Sequence, residues 1–189
     1  MKPKYLEDRK ELLHDLNGKI LDVGCNKGVF HSFMNGEVYG TDIEITNYKD
    51  NVMRADAQYL PFKNDVFDTV FAGEVIEHLP NPYLFLQEVK RVLKKNGKFI
   101  LTTPNMHSLD FFYKNIFSIK NISDTSLHLY GWDIFLLENL FTVLNFEIRE
   151  AGYINIYKRN IPFKILCRVM KRFSWHIYAI TSKREDNES

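Results

Sequence analysis

Short apolar runs alternate with amphipathic stretches along most of the chain, and this alternation predicts an α/β fold. The apolar runs predict strands over residues 20–23, 37–42, 52–55, 67–72, 98–104, 146–153 and 175–181. Apolar residues at helical spacing predict helices over residues 5–16, 29–34, 82–95, 132–144 and 162–173. Strands that alternate with helices and end in a hairpin indicate a doubly wound seven-stranded sheet, mostly parallel, with an antiparallel last strand.

The stretch Gly18–Gly28 is the centre of this prediction. Ile20–Val23 predicts a buried parallel strand, and Gly24–Gly28 predicts the tight turn after it, where glycines let the backbone approach a ligand. A pyrophosphate is unfavourable at this turn, because the carboxylate of Asp22 would repel it and Asn26 departs from the G-x-G-x-x-G spacing. The turn therefore favours a cationic ligand without phosphates.

Length and composition narrow the class of protein. The chain has 189 residues and a formal net charge of +1, which predicts one domain and argues against a broad basic face for nucleic acid. Two cysteines, Cys25 and Cys167, give neither a disulfide framework nor a metal-type pairing. The first ten residues lack the apolar core of a signal peptide, and no apolar run is long enough for a bilayer span. We therefore expect a cytoplasmic domain over residues 1–189, with a leading helix in 1–17, a polar tail in 182–189 and no stable membrane insertion.

The segment Asp22-Val-Gly-Cys-Asn-Lys-Gly28 resembles the first motif, D/E-x-G-x-G-x-G, of the class I S-adenosylmethionine-dependent methyltransferases. Asn26 replaces the middle glycine, and asparagine is the residue other than glycine that best tolerates a left-handed backbone. The likeness extends over about residues 18–105, including the run from Phe67 to Asn105. It implies a Rossmann-like fold and S-adenosylmethionine as the cofactor, whose ammonium and sulfonium groups suit an acidic site.

The resemblance also implies which residues bind the cofactor. They are Asp22, Gly24, Cys25, Asn26 and Gly28 in the turn, Asp42 and Ile43 after the second strand, Asp56 and Ala57 after the third, and Gly73 at the end of the fourth. Asp42 follows Gly24 by 18 residues, close to the offset at which nucleotide folds place a ribose-binding carboxylate. The alternatives are a solvated loop acid at Asp42 and a turn cap at Asp56. The strand-end position favours ribose binding by Asp42, and the resemblance favours adenine binding by Asp56.

The segment Glu74-Val-Ile-Glu77-His78 carries the candidate catalytic groups. In a helical turn Glu74, Glu77 and His78 would share one face, and two crowded carboxylates repel unless a proton or a cation lies between them. Three interpretations remain open at this point. The segment is a charged turn facing water, or His78 is a general base for an acceptor hydroxyl, or the segment binds a divalent metal.

The metal interpretation comes from a second resemblance. Glu-x-x-Glu-His resembles the metal-binding segment of small-RNA 2′-O-methyltransferases and is similar to that of ubiquinone-pathway O-methyltransferases. Those families add a downstream histidine, and His128-Leu-Tyr-Gly-Trp132 matches it. The implied ligands for Mg or Mn are Glu74, Glu77, His78 and His128, with His107 as a substitute for His128. Such a cation would lower the pKa of the acceptor hydroxyl.

Taken together, the resemblances imply O-methylation of a small molecule or a terminal-sugar hydroxyl, which Glu74, Glu77 and His78 would prepare for reaction. An RNA terminus is the less favoured acceptor. N- or C-methylation on the same fold, and a non-catalytic binding protein, are the alternatives, whereas Asp22 disfavours a dinucleotide dehydrogenase. Segments 106–130 and 154–174 are expected to cover the substrate, and the basic helix 162–173 faces water or an anionic surface.

Overall fold

The computed structural model describes residues 5–45, 51–109, 111–112, 128–154 and 170–184. Its α-helices are α1 (Tyr5–Leu13), α2 (Pro82–Val92) and α3 (Ile134–Val143). Its strands are β1 (Lys19–Val23), β2 (Glu37–Asp42), β3 (Val52–Arg54), β4 (Phe67–Gly73), β5 (Leu93–Pro104), β6 (Phe146–Ile154) and β7 (His176–Lys183). Single turns of 3₁₀ helix span His31–Phe33, Ile76–His78 and Lys171–Phe173.

The seven strands form one sheet in the order β3-β2-β1-β4-β5-β7-β6. Neighbouring strands from β3 to β5 pair in parallel, whereas β7 is antiparallel to both β5 and β6. This arrangement confirms the predicted doubly wound sheet with its antiparallel last strand. The strand order reverses between β1 and β4, and ligands of open α/β sheets bind at the carboxyl ends of the strands beside such a reversal.

Apolar side chains cover both faces of the sheet. Ile20 belongs to a cluster with Leu13 of α1, while its neighbour Leu21 belongs to the larger cluster that includes Phe85 of α2 and Phe141 of α3. Successive residues of a strand point to opposite faces, so one short run can supply both layers of the core. The central strands are therefore held rigidly, and the loops at their carboxyl ends stand on a fixed base.

The helix predicted over residues 29–34 is wrong, since the structure has only the 3₁₀ turn His31–Phe33 there. Of the eight residues between Gly28 and the first residue of β2, only His31–Phe33 are helical, and residues 34–36 already lead into the strand. At the end of this connection a Cβ on Gly36 would lie 2.4 Å from the carbonyl oxygen of Gly18, so the backbone passes very close to the start of β1. The short crossover keeps the glycine turn close to β2.

Two further boundaries differ from the prediction. Helix α2 ends at Val92 because Leu93, which is fully buried, already pairs with Phe67 as the first residue of β5. Strand β7 continues to Lys183, so the first two residues of the expected tail 182–189 belong to the sheet. There the Lys183 ammonium donates to the carbonyl oxygen of Leu93 at 3.1 Å.

Parts of the expected substrate-covering segments lie outside the described residues, namely 110 and 113–127 in the first and 155–169 in the second. Most of the predicted basic helix 162–173 falls in the second gap, and its described end is the 3₁₀ turn Lys171–Phe173. Within the ranges that the structure describes, no helix is both long and apolar enough to cross a membrane.

Candidate functional site

The glycine turn after β1 has a left-handed backbone at three positions. Gly24 has φ 70°, Asn26 has φ 49° and Gly28 has φ 69°. The backbone N–H groups of Gly24 and Cys25 both donate to the carbonyl oxygen of Thr41, which ties the turn to β2. Asparagine tolerates this conformation better than other residues with a side chain, so the departure from the glycine motif keeps the shape of the turn.

Asp42, at the end of β2, binds the same turn. Its Oδ2 accepts a hydrogen bond from the Asn26 backbone N–H at 2.7 Å, and its Oδ1 accepts one from the Glu44 N–H at 3.0 Å. Each carboxylate oxygen keeps further acceptor capacity, so these bonds leave room for ribose hydroxyls. Ile43, the next residue, is 58% exposed beside this carboxylate.

Asp22 is almost completely buried under the turn, and His31 lies against it. The His31 Nε2 and Asp22 Oδ2 atoms are 3.1 Å apart, although neither makes an aligned hydrogen bond within the described structure. Burial raises the pKa of the Asp22 carboxyl above its ordinary value, while the contact with His31 acts in the opposite direction. The neighbouring Cys25 thiol has its pKa raised to about 12 by burial and by the charges of Asp22 and Asp42.

Asp56 caps the turn after β3. Its Oδ1 accepts from the Gln58 backbone N–H at 2.8 Å, and the Gln58 side-chain amide donates to both carboxylate oxygens. Gln58 in turn accepts from the Asn81 N–H at 2.9 Å, next to the buried Ala57. The turn-capping alternative is therefore what the structure shows for Asp56, and adenine binding by Asp56 and Ala57 stays a prediction.

Glu74 follows β4 in a strained conformation with φ 60°. Its Oε1 lies 2.7 Å from Arg9 Nη2 of α1, and its Oε2 lies 2.9 Å from His176 Nε2 of β7. Burial opposes ionisation of this carboxyl, but the hydrogen bond from His176 and the charges of His176 and Arg9 hold its pKa below the ordinary value. The expected helical face shared by Glu74, Glu77 and His78 is wrong, because Glu74 precedes the 3₁₀ turn and its carboxylate is held by other elements.

Glu77 lies inside that 3₁₀ turn and is 1% exposed. Thr103 of β5 donates to its Oε2 at 2.9 Å, whereas its Oε1 is buried without a hydrogen bond from any residue in the described ranges. Burial and the nearby charge of Glu74 raise the pKa of Glu77 to about 8. The carboxyl group thus holds a proton at neutral pH unless a cation neutralises it, as the crowding argument from the sequence expects.

Glu77, His78 and His128 form a compact cluster. One candidate ligand atom from each lies within 4.8 Å of the others, and the two imidazole rings meet edge to face at 4.8 Å between centroids. The carbonyl oxygen of Glu77 accepts from the N–H groups of Leu129 and Tyr130, which holds the segment after His128 in place. The mixed carboxylate and imidazole set fits a small divalent cation, since Glu77 Oε1 has no hydrogen bond from the described part of the chain.

Two other residues that the sequence analysis considered as metal ligands, His107 and Glu74, lie outside this cluster. His107 pairs with Asp133 at 3.0 Å near the start of α3 and is well exposed, which indicates a structural role. Glu74, expected as a fourth ligand, is not in the metal-type cluster found among the described residues. The structure therefore brings together three of the four residues that the resemblance implied.

The cluster and the glycine turn are adjacent. A Cβ on Gly24 would lie 2.4 Å from Cγ2 of Val75, so Val75 packs directly on the turn. The carbonyl oxygen of Val75 then accepts from the His78 N–H at 3.0 Å. Gly73, the last residue of β4, packs closely against Phe71, since a Cβ on Gly73 would lie 2.9 Å from the Phe71 ring. The glycine turn and the cluster of Glu77, His78 and His128 therefore lie at the same edge of the sheet.

Sequence reasoning gave no role to three residues that the structure places at this edge: Arg9, His31 and His176. The partner of His176 is 102 residues away along the chain, and that of Arg9 is separated from it by the four strands β1 to β4. No local pattern marks such pairs. Only the topology, which brings β7 beside β5 and α1 beneath the turn, reveals them.

Comparison with known proteins relates this chain to methyltransferases. Residues 21–101 match a family model described as a methyltransferase domain. An uncharacterized protein of Methanocaldococcus jannaschii is 31% identical over 157 residues, which cover 74% of this chain and 66% of the relative. The mitochondrial ubiquinone biosynthesis O-methyltransferase of Rattus norvegicus is 30% identical over 137 residues, which cover 62% of this chain and 40% of the relative. The chain thus spans between 40% and 66% of the length of these relatives.

The fold is also that of a methyltransferase solved in complex with the Haloferax volcanii Trm112 methyltransferase activator. The TM-score is 0.72 at 15% sequence identity, and the match covers 97% of this chain and 91% of that one. At such identity the likeness concerns the architecture of the chain alone.

Proposed function

Because this chain belongs to the class I S-adenosylmethionine-dependent methyltransferase family, we propose that it transfers a methyl group to a hydroxyl of a small molecule or a terminal sugar. The observation that carries the proposal is the adjacency of two sites. One site is the glycine turn with the acids Asp22 and Asp42, and the other is the cluster of Glu77, His78 and His128. Val75 packs on the turn and lies two residues before Glu77 in the chain.

The residues of the turn fit the methyl donor. Its sulfonium and ammonium groups are cationic and it has no phosphate, so the carboxylates of Asp22 and Asp42 favour it, whereas they would repel a dinucleotide. Asp42 would accept hydrogen bonds from the ribose while it holds the Asn26 N–H. When bound, the donor supplies an activated methyl group, so the protein has only to align the acceptor and exclude water.

A hydroxyl acceptor must also lose its proton. His78 lies beside Glu77, with 3.9 Å between His78 Nε2 and Glu77 Oε1, and the imidazole nitrogen would take up that proton as a general base. Glu77, whose pKa is raised to about 8, would mostly carry its own proton at neutral pH and so leave this task to His78.

A divalent cation, Mg or Mn, is the second form of the same proposal. Glu77, His78 and His128 would hold it, and the buried Oε1 of Glu77, which lacks a hydrogen bond within the described structure, favours this form. Such an ion would lower the pKa of the acceptor hydroxyl. In this form His78 is a ligand and cannot be the free base.

The proposal is tested by screening acceptors and detecting released S-adenosylhomocysteine. We expect turnover with compounds that carry a free hydroxyl and none with their methyl ethers. Turnover with amines or carbon acceptors alone would favour N- or C-methylation on the same fold. Tight binding of S-adenosylhomocysteine without turnover of any acceptor class would favour a non-catalytic binding protein.

A further inference from the structure

Positive charge is concentrated late in the chain. Residues 151–184 contain eight lysines and arginines and no aspartate or glutamate, although the whole chain has a formal net charge of +1. Two of these cations, Lys171 and Arg172, lie exposed in the 3₁₀ turn Lys171–Phe173. Neither has an ion pair with an acid among the described residues. Two adjacent cations without a counter-charge attract anions, so this turn favours an anionic ligand.

The turn is held in a fixed place by Asn105, the residue that follows β5. Asn105 is 1% exposed, and its Nδ2 donates to the carbonyl oxygens of Arg172 and Ser174, both at 2.8 Å. Its backbone N–H donates to the carbonyl oxygen of Trp175 at 2.8 Å, which continues the pairing of β5 with β7. The buried amide thus uses both of its N–H bonds on the backbone that carries the two cations.

The strand that anchors the turn also holds the candidate acceptor site. Thr103 of β5 donates to Glu77 Oε2 at 2.9 Å, and Asn105 follows Thr103 by two residues. Side chains two residues apart along an extended chain point to the same side and are separated by about 7 Å. This separation is the size of a small molecule, whose hydroxyl could reach Glu77, His78 and His128 while a second group reaches the turn.

Acids of the described structure near the acceptor cluster do not neutralise the turn. Asp133 pairs with His107 at 3.0 Å, and Glu74 pairs with Arg9 at 2.7 Å. Burial raises the pKa of Glu77 to about 8, so this carboxyl holds a proton at neutral pH. The two cations of the turn therefore stay unbalanced within the part of the chain that the structure describes.

We propose that Lys171 and Arg172 bind a phosphate group carried by the methyl acceptor. The inference rests on the proposed function and narrows its acceptor to a small hydroxyl compound that is also a phosphate monoester. Such a group carries a charge of about −1.5 to −2 at neutral pH, which two cations match. An arginine fork binds two phosphate oxygens at once, and a lysine adds a point charge beside it. Neutral alcohols and phenols lack this second contact.

Pairs of acceptors that differ only in the phosphate test this inference. Glycerol with glycerol 3-phosphate and ribose with ribose 5-phosphate belong to such a panel, and released S-adenosylhomocysteine reports turnover. The wild type should methylate the phosphorylated member with a kcat/KM at least about tenfold higher. The double variant Lys171→Gln with Arg172→Gln should reduce this preference to within about twofold and leave the affinity for S-adenosylhomocysteine unchanged.

The matched control replaces two other exposed lysines, Lys63 and Lys98, with glutamine. Lys63 precedes β4, and Lys98 pairs with Thr69 near the start of that strand, so both are remote from the carboxyl ends of the strands. The control removes the same amount of charge from the protein. It should therefore keep the preference of about tenfold if the position of the two cations, rather than net charge, matters.

Inorganic phosphate gives a binding test that needs no acceptor. Calorimetry on the complex with S-adenosylhomocysteine should show phosphate binding that weakens with added NaCl and is at least about fivefold weaker in the double variant. Phosphate binding that ignores both cations, or equal turnover of neutral and phosphorylated acceptors by the wild type, would overturn the inference. Methylation of a short oligoribonucleotide in preference to every phosphorylated small molecule would overturn it as well. If no hydroxyl compound of either kind is methylated, the proposed function itself is overturned.

Discussion

His176 of β7 and Glu74 after β4 meet at 2.9 Å between Nε2 and Oε2, although 102 residues separate them in the chain. The contact joins the antiparallel half of the sheet to the edge where the candidate site lies. It also leaves the other ring nitrogen of His176 buried without a hydrogen bond to any residue in the described ranges. The hydrogen bond to Glu74 is therefore the polar contact through which we expect His176 to stabilise this edge.

Replacing His176 with phenylalanine should destabilise the fold. The variant keeps a ring of similar size but removes the hydrogen bond to a largely buried carboxylate, which costs about 1–3 kcal/mol of unfolding free energy. Urea denaturation measures the effect. The matched control is His14→Phe, because His14 is exposed and pairs with the equally exposed Asp15, and it should stay within about 0.5 kcal/mol of wild type. Equal stability of wild type and His176→Phe would contradict the role given to this pair.

Glu77→Gln should become stabilising as the pH rises. The folded pKa of Glu77 is about 8 against an ordinary value of 4.5, so the native state binds the extra proton between these values and loses stability as pH increases through that window. Relative to wild type, the glutamine variant should gain more than about 1 kcal/mol between pH 5 and pH 8, measured by urea denaturation in EDTA.

Glu88→Gln is the control for that series. The pKa of Glu88 is lowered by its hydrogen bond with Arg91, so its contribution is already complete above pH 5 and its variant should differ from wild type by a constant amount from pH 5 to pH 8. A Glu77 variant that shows the same flat profile would mean that Glu77 is ionised in the native protein.

Cys25 should resist alkylation in the folded protein. Its thiol is 2% exposed and its pKa is raised to about 12, so very little reactive thiolate exists at pH 8. Iodoacetamide labelling of the peptide that contains Cys25, followed by mass spectrometry, should be more than about a hundredfold slower than in urea. Similar rates in the two conditions would show that the glycine turn opens readily.

Asp42→Ala should weaken S-adenosylhomocysteine binding by about tenfold to a hundredfold, the range expected for losing hydrogen bonds to a charged group. Calorimetry gives the affinity. Asp42→Asn separates two effects, because its amide can still accept from the Asn26 N–H but carries no charge for the ribose hydroxyls. The assignment fails if both variants bind like wild type, while Asp15→Ala serves as an exposed acid of no expected effect.

Chelation distinguishes the two forms of the proposed chemistry. If Glu77, His78 and His128 hold a cation, EDTA should abolish methyl transfer, and Mg or Mn should restore it in the wild type but not in His128→Ala. His107→Ala is the matched control, since His107 pairs with Asp133 outside the cluster. Methyl transfer that is indifferent to EDTA would leave His78 as the general base.

The centre of the sheet could be predicted from the sequence because β1 and β4 are short, mostly apolar runs. Both strands are buried on both faces along most of their length, and such runs stand out against charged connections. The crossover after Gly28 could not, since Val29, Phe30, Phe33 and Met34 have helical spacing but only His31–Phe33 form a 3₁₀ turn before the chain leads into β2. The spacing of apolar residues indicates which face of a segment is buried, but it does not indicate where the next strand begins.

The candidate site was predictable where the motif is local and unpredictable where it depends on topology. The turn from Asp22 to Gly28 was expected, and so was the approach of His128 to Glu77 and His78, through resemblance. The direction of the Glu74 side chain was not, because its partners Arg9 and His176 come from opposite ends of the described structure. A carboxylate whose two partners are distant in the chain has no signature in the residues around it.

The position of β7 inside the sheet, between β5 and β6, bears on how the nascent chain folds. Strands β1 to β5 can pair as they leave the ribosome, since each finds its neighbour among residues already made. Strand β6 must wait, because its place in the sheet is defined by β7, which is synthesised after it. The glycine turn is thus assembled early, whereas Glu74 receives His176 only when translation has reached the last strand.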